Sequence, residues 1–241
     1  MKIHSIETFG THEGPGIRLV IFLQGCNLQC AYCHNPDTIS LKGGKDLSIN
    51  NVLELLEAQK SYFGDSGGLT VSGGEPTLQA KELIKLFTEV SRRGFHIALD
   101  TNGTILTSEV KELLGLTDLA LIDLKHFDSN ICKEITGQGN ETVFKMIEFR
   151  ETSLKKFWIR YVLVPGLTDQ ANYLEKMAEY FSDFKYLEYL EILPYHNLGA
   201  HKYAELKQSY RLAKTPPANS KDLQQAVKIL SRHLPVEKIR Y

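Results

Sequence analysis

The sequence has no long apolar run and no excess of either charge. Its longest purely apolar run is Leu19–Leu23, whereas a membrane-spanning helix needs about 20 such residues. The 28 Lys and Arg residues against 29 Asp and Glu residues give a formal net charge of −1, which argues against a protein that coats nucleic acid. The N-terminal stretch MKIHSIETFG has no apolar core behind its first Lys. We therefore predict no signal peptide and a soluble cytoplasmic protein.

Cysteine is also scarce, with four in 241 residues. A chain of this length buries about 70% of its unfolded surface, so it needs no disulfides to fold. In a reducing compartment, grouped cysteines bind metal or do redox chemistry more often than they form disulfides. Cys26, Cys30 and Cys33 are grouped, whereas Cys132 lies about a hundred residues further along the chain and need not be close to them.

Short, nearly continuous apolar runs alternate with segments of helical periodicity. Such runs are typical of parallel strands that are covered on both faces. The predicted strands are Arg18–Leu23, Leu69–Ser72, His96–Asp100, Leu119–Leu124, Trp158–Val164 and Leu187–Leu193. The predicted helices are Ser48–Tyr62, Leu78–Arg93, Ser108–Leu114, Glu141–Thr152, Asn172–Phe181 and Lys221–His233.

Six strand–helix units are fewer than the eight of a closed barrel. We predict an α/β fold, an open and partial (β/α)6 barrel that spans residues 1–241 as a single domain, with a doubly wound sheet as the alternative. Residues 196–220 show little periodicity. A segment of this kind is either a lid or binding loop or a plain surface connection.

The grouped cysteines form a C-x3-C-x2-C motif directly after the first predicted strand, within a loop at residues 24–36. A [4Fe–4S] cluster normally takes four thiolates, so three would leave one iron open to a small molecule, as catalytic zinc sites keep an open position.

Three other interpretations of the motif stay open. Cys30–His34 contains C-x-x-C-H, the haem-attachment pattern, which normally accompanies export. A Cys3His zinc site would need the adjacent Cys33 and His34 on one tetrahedral ion. The third interpretation is a set of inert buried cysteines.

Several further segments accompany the cysteine motif. They are EGPGIR at 13–18, YCHN at 32–35, WIRY at 158–161, VPG at 164–166, LPYH at 193–196 and LGAHK at 198–202. Together they resemble the radical S-adenosylmethionine (SAM) superfamily and, within it, the family of enzymes that activate pyruvate formate-lyase. The resemblance extends over nearly the whole chain, from Ile3 to the C-terminal helix.

The resemblance implies an activity and its cofactors. One [4Fe–4S] cluster is held by Cys26, Cys30 and Cys33, and SAM binds its open iron. One-electron cleavage of SAM gives a 5′-deoxyadenosyl radical, which takes a hydrogen atom from a glycine of pyruvate formate-lyase. The implied electron donor is a flavodoxin or ferredoxin. We expect a monomer without a nucleic-acid or membrane partner.

The resemblance also implies site residues near the ends of the predicted strands, where barrel-like folds place their active sites. The residues implied for SAM are Tyr32, His34, Gly73, Gly74, Glu75, Lys125, Arg160 and His196. Those implied for a monovalent cation, which favours oxygen ligands, are Asp100, Thr101 and Asp123, with the Leu124 carbonyl. Glu13 would contact the substrate peptide, although its side chain is one methylene longer than the Asp usual in the family.

Most of these site residues have an ordinary structural alternative. Gly73–Glu75 is also a common strand-to-helix turn, and Asp100 is also a helix N-cap candidate. Asp123 and Lys125 are close enough in sequence to form a local ion pair, and a lone His196 is more often structural. Arg160 lies within a predicted strand, where a buried charge needs a partner or a function.

Other functions stay open as well. Activators of other glycyl-radical enzymes often carry an inserted ferredoxin-like segment with extra cysteines, and no cysteine lies between Cys33 and Gly73. A radical SAM enzyme acting on a small molecule is a second alternative. A non-enzymatic iron–sulfur electron carrier is a third, and it would need four thiolates and no SAM pocket.

Overall fold

The structure, a computed structural model, describes residues 1–241 as strands alternating with helices. The strands are β1 Lys2–Gly10, β2 Arg18–Leu23, β3 Lys45–Asp46, β4 Gly68–Gly73, β5 His96–Thr101, β6 Leu119–Asp123, β7 Phe157–Leu163, β8 Leu187–Pro194 and β9 Ile239–Arg240. The helices are α1 Ile49–Gln59, α2 Ala80–Arg92, α3 Ser108–Leu116, α4 Ser129–Thr136, α5 Glu141–Thr152, α6 Ala171–Phe181, α7 Ala200–Glu205 and α8 Ser220–Leu230. None of these helices has the length and apolar character needed to span a bilayer.

The strands form one sheet in the order β3-β1-β2-β4-β5-β6-β7-β8-β9. Parallel pairing joins β2 to β4, β4 to β5, β7 to β8 and β8 to β9, whereas β1 runs antiparallel to both β2 and β3. From β2 to β9 the strands lie in chain order apart from β3, without the reversal that a doubly wound sheet requires. The sheet does not close into a barrel, so the predicted open α/β fold is confirmed.

All six predicted strands and all six predicted helices are present, with ends shifted by a few residues, as is usual for element boundaries. Ser48 caps α1 as predicted, because its side chain accepts a hydrogen bond from the backbone N–H of Asn51. Gly94 follows the end of α2 with a φ of +74°, the left-handed conformation that glycine adopts most easily.

The prediction missed the strands β1, β3 and β9 and the helices α4 and α7, of which β3 and β9 have only two residues each. In β1, Ile3 and Gly10 are buried and the residues between them are at least partly exposed, so this strand has no continuous buried apolar run. The helix α4 has only eight residues, between an Asp128 N-cap and Gly137 at φ +91°, and its periodicity is too short to recognise.

Contacts divide the chain into two compact units. The first unit comprises Met1–Asn27 and Thr38–Leu121, and the second comprises Leu28–Asp37 and Ile122–Tyr241. In the first unit, α1 and α2 bury their apolar faces, which include Leu56, Leu86 and Phe87. In the second, a buried cluster contains Tyr32, Ile135, Val164 and Tyr195. The boundary between the units falls within the cysteine motif, so Cys26 belongs to the first unit and Cys30 and Cys33 belong to the second.

Candidate functional site

In the first unit, the end of β4 packs closely against the end of β2. A Cβ atom at Gly73 would lie 2.2 Å from the backbone N of Leu23, and one at Gly74 would lie 2.0 Å from the carbonyl oxygen of Gly25. Only glycine permits this approach. The paired glycines therefore bring β4 beside the residues that lead into Cys26, and their contact with SAM stays a prediction.

Glu75 is fully buried and joins the ends of two strands. Its Oε1 atom accepts hydrogen bonds from Thr77 N at 2.9 Å, Thr77 Oγ1 at 2.6 Å and Thr101 Oγ1 at 2.7 Å, and its Oε2 atom accepts one from Asn102 N at 2.7 Å. Burial raises the pKa of Glu75, and these hydrogen bonds act in the opposite direction. The carboxylate thus fixes the positions of β4 and β5 relative to each other, and its predicted contact with SAM remains untested.

Asn102 links the end of β5 to the cysteine motif and was missed by the sequence analysis. Its Nδ2 atom donates a hydrogen bond to Asn27 Oδ1 at 3.0 Å and to the sulfur of Cys26 at 3.8 Å. Hydrogen bonds to thiolate sulfurs help to set the potential of iron–sulfur clusters. The available signal was the position of Asn102 at a strand end, directly after the predicted cation ligands.

Two of the predicted cation ligands lie in the first unit and have partners within the protein. Ser72 Oγ donates a hydrogen bond to Asp100 Oδ2 at 2.7 Å. The hydroxyl of Thr101 donates to Glu75 and accepts from Gly103 N at 3.1 Å. Asp100 is not a helix N-cap, since α3 begins at Ser108 and is capped by Thr107. Their role in cation binding stays a prediction.

The loop that carries Glu13 is held by the buried Arg18. The Arg18 guanidinium donates to Thr70 Oγ1, to the Pro15 carbonyl at 2.9 Å and to the Leu69 carbonyl at 2.6 Å. Thr70 Oγ1 in turn donates to the Glu13 carbonyl at 2.7 Å. Burial lowers the pKa of Arg18 to about 10, and Asp118 acts in the opposite direction. Arg18 and Thr70 thus fix the backbone next to the predicted peptide-binding carboxylate.

In the second unit, the loop with Cys30 and Cys33 is a tight turn attached to α4. Cys33 N donates to the Cys30 carbonyl at 3.1 Å, which forms the turn, and Ala31 N donates to the Ile135 carbonyl at 2.8 Å. Burial raises the pKa of the Cys33 thiol, so a bound metal has to displace its proton. Cys132 is buried within α4.

The helix α7, within the weakly periodic segment 196–220, contacts the same turn. Tyr203 donates a hydrogen bond from its hydroxyl to the Cys33 carbonyl at 3.1 Å. Lys202 Nζ donates to Asn35 Oδ1 at 2.9 Å and forms an ion pair with Asp37 at 3.2 Å. The segment is therefore attached to the cysteine loop.

Two predicted SAM ligands in the second unit are neighbours. The rings of His34 and His196 are perpendicular, with centroids 4.7 Å apart. The pKa of His34 is lowered by burial and by the proximity of His196 and Lys202. His34 is therefore neutral at pH 7. The predicted contact of either ring with SAM stays a prediction.

Lys125 and Asp123 form the anticipated local ion pair, with Lys125 Nζ 2.6 Å from Asp123 Oδ2. Tyr32 lies beside them and donates from its hydroxyl to the Lys125 carbonyl at 3.3 Å. Burial alone would lower the pKa of Lys125, but Asp123, together with Cys30 and Tyr32, more than offsets it and raises that pKa well above its usual value. Lys125 is charged at neutral pH, as the predicted pairing with the SAM carboxylate requires.

The charge of Arg160 within β7 has a partner. Arg160 Nε lies 3.0 Å from Glu191 Oε2, and Arg240 Nε lies 3.2 Å from the other oxygen of the same carboxylate. Arg240 also lies 4.9 Å from the centre of the Trp158 ring, a cation–π contact. This network accounts for a charge inside the strand, and a contact of Arg160 with the cofactor stays a prediction.

Comparison with known proteins relates this arrangement to a family. Residues 20–180 match the model of the radical SAM superfamily. The pyruvate formate-lyase-activating enzyme of Clostridium pasteurianum is 44% identical over 212 residues, which cover 88% of this chain and 89% of that protein. The pyruvate formate-lyase 1-activating enzyme of Escherichia coli K12 is 35% identical, with 96% of both chains covered. This chain belongs to the pyruvate formate-lyase-activating enzyme family of the radical SAM superfamily.

Solved structures agree with this assignment. A domain of a pyruvate formate-lyase-activating enzyme from Bacteroides vulgatus superposes with a TM-score of 0.58 at 27% identity, covering 69% of this chain and 94% of that domain. Streptococcus suis SuiB, bound to its precursor peptide SuiA, gives a TM-score of 0.70 at 17% identity, covering 93% of this chain and 48% of SuiB. The similarity to SuiB concerns the fold alone. The resemblance inferred from the sequence motifs is confirmed.

Membership of the radical SAM superfamily implies a [4Fe–4S] cluster and SAM as cofactors. The three cysteines of the C-x3-C-x2-C loop fit such a cluster. Cys26, Cys30 and Cys33 form no disulfide and are partly exposed. No three His, Cys, Asp or Glu side chains in the chain converge as ligands of a single metal ion would. A [4Fe–4S] cluster differs from such an ion, because each ligated iron takes its own thiolate.

Proposed function

We propose that this protein activates pyruvate formate-lyase by generating a glycyl radical on it. The observation that carries the proposal is a C-x3-C-x2-C loop within a chain that aligns over nearly its whole length with proteins named for this activity. When bound, a [4Fe–4S] cluster with SAM on its open iron supplies a 5′-deoxyadenosyl radical by one-electron cleavage of the sulfonium C–S bond.

The chain's own residues hold, orient and shield these groups. Cys26, Cys30 and Cys33 bind the cluster, and Asn102 donates a hydrogen bond to the sulfur of Cys26. The proposed SAM contacts are Tyr32, His34, Gly73, Gly74, Glu75, Lys125, Arg160 and His196. Asp100, Thr101 and Asp123, with the Leu124 carbonyl, would bind a monovalent cation beside SAM.

The substrate enters as an extended peptide. Glu13 would contact this peptide, as the family resemblance implies, and Arg18 and Thr70 fix the backbone of its loop. A glycine suits the reacting position, since without a side chain its α-carbon can approach the radical closely.

The whole chain, residues 1–241, acts as one radical SAM domain and as a monomer in the cytoplasm, where cysteine thiols stay reduced. A flavodoxin or ferredoxin supplies the electron.

The proposed chemistry predicts that the anaerobically reconstituted protein, given SAM and dithionite, releases 5′-deoxyadenosine and methionine. Each cleavage consumes one electron, so no product forms when dithionite is left out. Chromatography of the quenched mixture measures both products. A protein that contains its full complement of iron and sulfide and still forms no 5′-deoxyadenosine contradicts the proposal.

A further inference from the structure

Residues 196–221, the basic segment, carry an unusual share of positive charge. The segment contains five Lys or Arg residues and one acidic residue, Glu205, in a chain with a net charge of −1. The five cations are Lys202, Lys207, Arg211, Lys214 and Lys221.

Most of this charge faces solvent. Lys207, Arg211, Lys214 and Lys221 are all exposed, whereas Lys202 is partly buried and pairs with Asp37. Exposed charges of one sign repel each other, so their grouping on one segment does not stabilise the fold. Such a patch raises the rate and specificity with which an acidic partner binds.

The basic segment is attached to the cysteine loop at two points. Tyr203 donates its hydrogen bond to the Cys33 carbonyl at 3.1 Å. Arg211 donates to the Glu134 carbonyl at 2.8 Å and to the Ile135 carbonyl at 3.3 Å. That same Ile135 carbonyl accepts the hydrogen bond from Ala31 N, between Cys30 and Cys33. The segment that carries the exposed cations is therefore anchored beside the part of the chain that holds two of the three cluster thiolates.

We propose that the basic segment is the docking surface for an acidic one-electron carrier protein. The inference rests on the proposed function, in which an electron must reach the cluster from outside for every SAM cleaved. In that step the carrier loses one electron, the cluster gains it, and the cleavage of the C–S bond consumes it as methionine leaves. The predicted peptide contact, Glu13, lies in a different segment of the chain, and no predicted peptide contact lies in the basic segment.

The test is a charge reversal at two exposed residues that make no contact with the cysteine loop. The double variant Lys207→Glu/Lys214→Glu changes the net charge of the segment by four units. The matched control is Lys85→Glu/Lys145→Glu, which makes the same change at exposed positions on α2 and α5. Calorimetry measures the dissociation constant of the reconstituted enzyme with an acidic flavodoxin and with an acidic ferredoxin, at low and high salt.

For at least one carrier, we expect at least about tenfold weaker binding by the double variant at low salt, with a smaller difference at high salt because screening weakens surface charge pairs. The control should change the dissociation constant less than twofold. With dithionite as reductant, wild type and both variants should form 5′-deoxyadenosine at equal rates, and with the reduced carrier only the Lys207→Glu/Lys214→Glu variant should be slow.

Three results would overturn the inference. They are equal carrier affinity in the two variants, no binding of either carrier to the wild-type enzyme, and weaker binding of pyruvate formate-lyase with unchanged carrier binding. The last result would assign the basic segment to the protein substrate. Failure of the dithionite reaction in the wild-type enzyme would instead contradict the proposed function, so the two failures are distinguishable.

Discussion

Replacing any one of Cys26, Cys30 and Cys33 with Ala is expected to remove nearly all bound iron and sulfide from the anaerobically reconstituted protein. The loop provides three thiolates and no spare one, and a cluster normally needs four ligands. With one of the three lost, two thiolates remain, which is half the usual number. Formation of 5′-deoxyadenosine should then fall to the background rate. Iron and sulfide analysis, together with the visible absorption of the cluster, measures the loss.

Cys132→Ala is the matched control for these variants. Cys132 is buried within α4 and has no predicted role as a ligand, so this variant should keep the wild-type iron and sulfide content. Wild-type cluster content in Cys26→Ala would show that the C-x3-C-x2-C loop does not hold the cluster. Loss of the cluster in Cys132→Ala would show that the fourth cysteine is a ligand.

Arg18→Met is expected to lower the free energy of unfolding by roughly 2–4 kcal/mol, because the substitution leaves buried hydrogen-bond acceptors without a donor. Arg18 is fully buried and donates to the Pro15 and Leu69 carbonyls and to Thr70. The folded pKa of about 10 lies below the usual value of 12.5, so burial of the charge itself costs stability. Removing that charge offsets part of the loss, so we expect a decrease of no more than about 4 kcal/mol.

Urea denaturation of the full chain measures this effect. The control is Arg92→Met on α2, where Arg92 is exposed and pairs only with Glu89, so a change below about 1 kcal/mol is expected. An unfolding free energy of Arg18→Met equal to that of the control would show that Arg18 does not hold the Glu13 loop.

Because the loop positions Glu13, a folded Arg18→Lys variant should also raise the KM for the protein substrate more than it lowers kcat.

The sequence predicted those parts of the fold that depend on local patterns. The six inner strands are nearly continuous apolar runs, and the buried faces of α1 and α2 follow from helical periodicity. The strand β1 was missed because most of its residues are exposed or partly exposed, so it shows no such run. Its pairing with β2 depends on contacts between segments.

The motifs of the candidate site are visible in the sequence, whereas the hydrogen bonds between its residues are not. The positions of Glu75 and Thr101 at strand ends are visible in the sequence, but their hydrogen bond depends on the register of two strands. The contacts of Tyr203 with Cys33 and of Arg211 with Ile135 join segments that are far apart in the chain. No local sequence pattern predicts such contacts. They attach the basic segment to the cysteine loop.

Electron paramagnetic resonance of an anaerobic mixture of this protein, pyruvate formate-lyase, SAM and a reductant tests the central claim most directly. The account predicts a glycyl radical on pyruvate formate-lyase that is absent when SAM is left out or when Cys33→Ala replaces the wild-type protein. The appearance of 5′-deoxyadenosine without any glycyl radical on pyruvate formate-lyase would contradict it.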